Sequence, residues 1–220
     1  MAERNWMPDC RRLPTGAYGG YGNIEAVAAV CHSIEGWRTT MDEWASEKEV
    51  VHQASYHFLI DLDGTVTQYV PVNQAAWHAG RVDATTNPSV GVPWQLYRNT
   101  NPNGYTIGIG AEGFSGQNWN AQQHNSCILI LRWLSDEHGM MFDKDSLIGH
   151  CDISPMTRPE DPGPDWNKQH LLDGVHEKVV PDSIKRNDIA SWTNAWLSGA
   201  TPVRFEDGYE VHQFRIPRRK

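Results

Sequence analysis

Three residues of this 220-residue chain have the types and setting of metal ligands. His32 stands at the end of a short apolar run, Ile24–Cys31, and His150 ends another, Leu147-Ile148-Gly149. Asp161 follows on a loop stiffened by Pro155 and Pro159, and it opens the tetrapeptide Asp161-Pro162-Gly163-Pro164. Neutral imidazole and carboxylate are ordinary Zn²⁺ ligands. Proline limits the backbone, so such a loop can hold a carboxylate in place at little entropic cost on folding. Two histidines and one carboxylate leave a tetrahedral position open for water, which is the catalytic pattern. That chemistry suits hydrolysis of an amide, with a further donor needed for the tetrahedral oxyanion.

The elements that must carry these residues can be read in outline. Ile24–Cys31 fits a buried strand or a short helix segment. Thr40-Met41-Asp42-Glu43 has the form of a capping box and predicts a helix through about Val51. Ser55–Asp61 alternates, Asp63-Gly64 is a hairpin turn signal, and Thr65–Val70 reads as the return strand. Asn73–Gly80 reads as a short turn of helix and a loop, and residues 81–105, with Asn, Pro and Gly throughout, as a long loop of functional or disordered character. Ile107–Ala111 resumes a strand. Asn120 with Gln123 caps a helix whose apolar face is Cys127, Ile130, Leu131 and Leu134, ended by Gly139. Helices are also expected over Trp166–Lys178 and Asp188–Leu197, and a hairpin over Val203–Phe214 about Asp207-Gly208. Interleaved strands and helices predict an α/β domain with a central mixed sheet.

Composition narrows the class. The net charge of −8 argues against a general nucleic-acid binder, and the basic tail Arg215–Lys220 reads as solvated. No apolar stretch has the length of a membrane helix. The first residues lack the apolar segment of a secretory signal, which predicts folding in a cytoplasm. Cys10, Cys31, Cys127 and Cys151 show no paired metal-binding spacing, and Cys31 and Cys151 read as small buried residues pointing away from a metal. Ten tryptophans mean either a rich core or aromatic platforms in a groove. His52, His124, His138, His170, His176 and His212 read as ordinary core or surface histidines.

Taken together, several motifs in order resemble a known family. They are His32 on its strand; Ser55-Tyr56-His57-Phe58-Leu59-Ile60-Asp61 with Asp63-Gly64-Thr65-Val66; Ala76-Trp77-His78-Ala79-Gly80; Thr106-Ile107-Gly108-Ile109; Gly149-His150-Cys151-Asp152-Ile153-Ser154-Pro155; and Asp161-Pro162-Gly163-Pro164. Over about residues 24–172 the chain resembles the zinc-dependent type-2 N-acetylmuramoyl-L-alanine amidases and peptidoglycan-recognition proteins, with a layout similar to phage endolysins. The resemblance implies one Zn²⁺ on His32, His150 and Asp161. It implies cleavage of the amide between N-acetylmuramic acid and L-alanine in bacterial peptidoglycan. Tyr56 matches a tyrosine that serves the reacting centre, while His57 on the other strand face reads as structural. His78 and Trp77 are candidates for lining the substrate groove, with support of the metal ligands or a structural role equally open for His78.

Two positions depart from the pattern. Where many relatives carry a glutamate after Ile-Gly-Ile, this chain has Gly110, and Glu112 lies two residues on. Where relatives carry a lysine two residues before the last ligand, this chain has Pro159, and Arg158 stands one residue earlier. Glu112 and Arg158 are therefore the expected substitutes in catalysis. An arginine can stabilise an oxyanion but not deliver a proton. The expected role is that of an endolysin, made in the cytoplasm and acting on the wall after release. The alternatives are a peptidoglycan-binding module without catalysis and an amidase recycling wall fragments inside the cell. The expected organisation is an N-terminal arm over 1–23, the amidase domain over 24–174, and a C-terminal helix and hairpin appendage over 175–220.

Overall fold

Strands β2 (Ala28–Ser33) and β5 (Thr106–Ala111) run side by side at the centre of the fold, and every residue of both is buried. In the computed structural model they belong to a mixed sheet with β1 (Arg11–Arg12), β3 (Phe58–Ile60), β4 (Val66–Gln68) and β6 (Leu147–Gly149), in the order β1-β4-β3-β5-β2-β6. The β3–β4 pair is antiparallel and the other pairs are parallel. The structure describes residues 3–47, 49, 51–80, 82, 101–164 and 166–177, and the backbone of 201–204 and 210–213. The chain divides into two compact units, Met1–His176 and Glu177–Lys220. In the second, β7 (Thr201–Arg204) pairs antiparallel with β8 (Glu210–Gln213), on either side of Asp207-Gly208. The helix expected over Asp188–Leu197 and most of the expected 81–105 loop lie outside the described residues.

Successive strand residues face opposite ways, so each central strand feeds both faces. Ala29 and Cys31 of β2, Ile107, Ile109 and Ala111 of β5, and Phe58 and Ile60 of β3 form one apolar face. Helix α2 (Ala121–His138) covers it with Cys127, Ile130, Leu131 and Leu134, each fully buried. A fully buried aliphatic side chain contributes about 1.5–3 kcal/mol. The helix begins as its sequence predicts: Asn120 Oδ1 accepts the Gln123 N–H, and Gln123 Oε1 accepts the Asn120 N–H. Gly139 ends it in the left-handed conformation.

Three local expectations shift. Helix α1 spans Arg38–Ala45, so Thr40 lies inside it and not at its start. Trp37 is the N-cap and its side chain makes no capping bond; the Arg38 N–H goes instead to Glu112 Oε1. The third strand is only Phe58–Ile60, which leaves Tyr56 just before it. The N-terminal segment is not merely an arm, because Arg11–Arg12 adds an edge strand to the sheet. The helix α3 (His150–Ile153) starts directly on His150, and α4 (Lys168–His176) follows, with Asn167 Oδ1 accepting the His170 N–H.

Candidate metal centre

The face of the sheet away from α2 carries His32 from β2, with Thr106, Gly108 and Gly110 from β5. His32 lies in register with Gly110, and Val30 with Gly108. The two glycines make room. A Cβ on Gly108 would fall 2.4 Å from His78 Cγ, and one on Gly110 would fall 2.5 Å from Ile34 Cγ2 and 3.2 Å from Tyr56 Cγ. Tyr56 and His78 can therefore lie against the strand beside His32, and their ring centroids are 5.2 and 5.1 Å from its own.

His32, His150 and Asp161 converge here, all buried. His32 Nδ1 is 3.1 Å from His150 Nδ1 and 3.7 Å from Asp161 Oδ2, and His150 Nδ1 is 3.0 Å from Asp161 Oδ2. Ligands at about 2.0–2.1 Å from a tetrahedral Zn²⁺ stand about 3.3 Å apart. The observed triangle brackets that spacing, so the donor set fits the metal in both type and size. Each residue is held from outside the triangle. His150 Nε2 donates to Ala79 O at 3.2 Å, and His32 Nε2 lies 3.0 Å from His78 Nδ1. Asp161 Oδ1 accepts the Ser33 N–H at 2.8 Å, and Asp161 O accepts the Cys151 N–H at 2.7 Å. The next carbonyl, Pro162 O, accepts from Ser33 Oγ and from the Trp119 indole N–H.

Electrostatics favour the ligand forms. Burial pushes His32 down to about 4, so its ring is neutral at pH 7. Burial alone would raise Asp161, but the adjoining His150 and His32 rings outweigh it and hold the carboxylate below its usual range. Burial, and then the charge of Asp161, raises the Tyr56 phenol above its ordinary value. Tyr56 therefore stays protonated at neutral pH and is a donor and not a base.

The remaining expected site residues fall as follows. Arg158 is exposed on the loop before Asp161; its carbonyl accepts the Asp161 N–H, and its charge acts on both His32 and Tyr56. Glu112 is half-buried, and its two oxygens accept the backbone N–H groups of Arg38 and Leu62, each at 3.0 Å. It ties β5 to the start of α1 and to the turn after β3. Trp77 is half-buried and its indole N–H donates to Gly19 O, which binds it to the N-terminal segment. His78 is buried against His32. His57 sits as expected for a structural residue, accepting the Gly108 N–H at Nδ1 and donating to Gln74 O from Nε2. Cys31 is fully buried in the apolar core and faces away from the triangle; Cys151 is half-buried, not buried as expected. Sequence reasoning did not single out Ser33, Ala79, Asn103 or Thr106. Asn103 Oδ1 accepts the N–H groups of both His78 and Ala79, and Thr106 Oγ1 touches His78.

Comparison with known proteins decides the class. The family model described as N-acetylmuramoyl-L-alanine amidase matches residues 23–164. The chain belongs to that family. Over 191 residues the amidase is 29% identical to the 1,6-anhydro-N-acetylmuramyl-L-alanine amidase AmpD of Escherichia coli K12, covering 78% of this chain and 96% of the relative. Over 123 residues it is 33% identical to the AmpD of Haemophilus influenzae, covering 56% of this chain and 59% of the relative. Among solved structures, a selenomethionine derivative of AmpD matches with a TM-score of 0.64 at 22% identity, over 80% of this chain and 99% of that one. The N-acetylmuramoyl-L-alanine amidase LysC from Clostridium intestinale matches with a TM-score of 0.52 at 23% identity, over 75% and 95%. These structural likenesses are likenesses of fold. The amidase is thus a hydrolase of peptidoglycan amides, with a mixed sheet flanked by helices. Among its described residues no helix is long and apolar enough to cross a membrane.

Proposed function

We propose that this amidase uses one Zn²⁺, held by His32, His150 and Asp161, to cleave the bond between the lactyl group of N-acetylmuramic acid and L-alanine. We place its substrates among soluble 1,6-anhydro wall fragments. The observation that carries the metal reading is the buried triangle of two Nδ1 atoms and one carboxylate oxygen at tetrahedral ligand spacing. A zinc ion in that place supplies a polarised carbonyl and a bound water with pKa near 7. Tyr56, kept protonated, donates a hydrogen bond to the oxyanion, and the positive charge of Arg158 stabilises the same developing charge. Glu112 serves by position, since its oxygens are engaged by the backbone N–H groups of Arg38 and Leu62.

Support for the fragment substrate comes from sequence relatives whose names specify a 1,6-anhydro-N-acetylmuramyl bond, one of them spanned by this chain over 96% of its length. Likeness to endolysin amidases is one of fold at lower identity, so the wall-lysing role expected from the motif layout is not the reading we adopt. The test is a substrate comparison. Purified 1,6-anhydro muropeptide and intact sacculi are incubated separately with the zinc-loaded protein, and new L-alanine amino termini are measured. Rapid release from the fragment and slow release from sacculi is the expected result; the reverse preference identifies a wall-lysing enzyme.

A further inference from the structure

A chain of buried hydrogen bonds runs from the metal triangle into the fold, and the short bond at its far end sets its direction. Its far end is Pro102 O, which can only accept, so the Thr106 hydroxyl, 2.7 Å away, donates its one proton there. The Thr106 oxygen, 3.2 Å from His78 Nε2, must then accept, which puts the His78 proton on Nε2. His78 Nδ1 is left bare, so it accepts across the 3.0 Å gap from His32 Nε2–H. With its proton on Nε2, His32 presents the lone pair of Nδ1 to His150 and Asp161. His150 is set the same way, because Ala79 O can only accept from its Nε2–H.

We infer that His78 is a positioning residue for the metal. Together with Thr106 it fixes the tautomer and ring angle of His32, while Ala79 O fixes those of His150. This rests on the zinc reading above and adds residues that never touch the ion or the substrate. It chooses between the groove-lining and supporting roles that the sequence left open for His78. The surroundings are built for this task. Asn103 Oδ1 accepts the N–H groups of residues 78 and 79 at 3.1 and 2.8 Å, which clamps both partners of the two ligands with one side chain. Gly108 leaves the ring of His78 its space against β5. His78 and Thr106 are both buried, so water does not compete for these bonds. Partners that orient metal-bound histidines commonly change metal affinity by about 10–100-fold when removed.

The test uses the full chain and Zn²⁺ in competition with a chromophoric chelator. Thr106→Val keeps the shape and removes the hydroxyl, whereas Thr106→Ser keeps the hydroxyl. His78→Asn keeps an acceptor near the Nδ1 position, whereas His78→Gln places its amide near Nε2 instead. We expect about a 10-fold loss of zinc affinity for Thr106→Val and about 10–100-fold for His78→Gln, with Thr106→Ser and His78→Asn near wild type. A second readout is the long-range ¹⁵N–¹H spectrum of the zinc-loaded wild type, in which His32 should carry its proton on Nε2. Equal zinc affinity within both pairs, or a His32 proton on Nδ1, overturns the inference. Failure of the wild type itself to bind zinc overturns the metal reading beneath it.

Discussion

Alternate residues of β2 and β5 go to opposite faces of the same sheet, and the two faces are built on different rules. Ala29, Cys31, Ile107, Ile109 and Ala111 meet α2 in a core of apolar side chains. There, volume and shape decide the energy, and volume-conserving exchanges are tolerated. On the other face, His32, Thr106, Gly108 and Gly110 meet Tyr56, His78, His150 and Asp161. There, polar side chains are linked in series, and the donor or acceptor at one end fixes the next. The contrast teaches that the sheet gives this protein an apolar core on one side and the cluster proposed to hold the metal on the other, with the strand backbone shared between them.

Substitutions should separate the two. Asp161→Ala removes a ligand and leaves His32 and His150 without the carboxylate between them; zinc content by elemental analysis and amidase turnover should both be lost, while the apo fold remains. Tyr56→Phe should leave zinc content intact and lower kcat by about 10²–10³-fold, the usual cost of losing an oxyanion donor, as read by steady-state kinetics. Leu131→Ala on the apolar face should do the opposite. It should cost about 2–5 kcal/mol in urea unfolding and leave the zinc affinity of the folded protein unchanged.

The pH dependence follows from the buried histidines. His57 is held at about 4 by burial, below its unfolded value near 6.5. Between these values the unfolded chain binds more protons than the folded one. Stability of the apo protein should therefore be complete above about pH 6.5 and fall as pH drops toward 4, by about 3 kcal/mol from this group. Urea midpoints across that window check it, and His57→Gln should flatten part of the slope. The smallest effect on activity is expected from Glu112→Gln. It weakens one of two backbone bonds, to the Arg38 N–H at the start of α1 or to the Leu62 N–H after β3, so thermal stability should fall by about 1 kcal/mol with kcat little changed. A large kcat loss at unchanged stability would instead make Glu112 a catalytic group.

Local signals in the sequence were followed closely by the structure. The α2 helix starts at the Asn120–Gln123 box and stops at Gly139 because those signals act within a few residues of the backbone they satisfy. The convergence of His32, His150 and Asp161 was legible because each ends an apolar run or sits on a proline-bearing loop. What could not be read depends on partners far along the chain. Helix α1 starts at Arg38, ahead of its apparent capping box, because Glu112 of another element takes the Arg38 N–H. Thr106 and Asn103 looked like ordinary loop and strand residues, and only the fold brings them to His78. Gly110 has a physical reason here: a side chain in its place would meet Ile34 and Tyr56.

The central claim is that His32, His150 and Asp161 hold the zinc on which amide cleavage depends. The most direct measurement is release of peptide with a free L-alanine amino terminus from a 1,6-anhydro muropeptide, before chelation, after chelation, and after zinc is returned. The account predicts cleavage that stops with the metal removed and resumes in proportion to zinc restored, to one ion per chain. Cleavage that continues undiminished in the fully demetallated protein would contradict it.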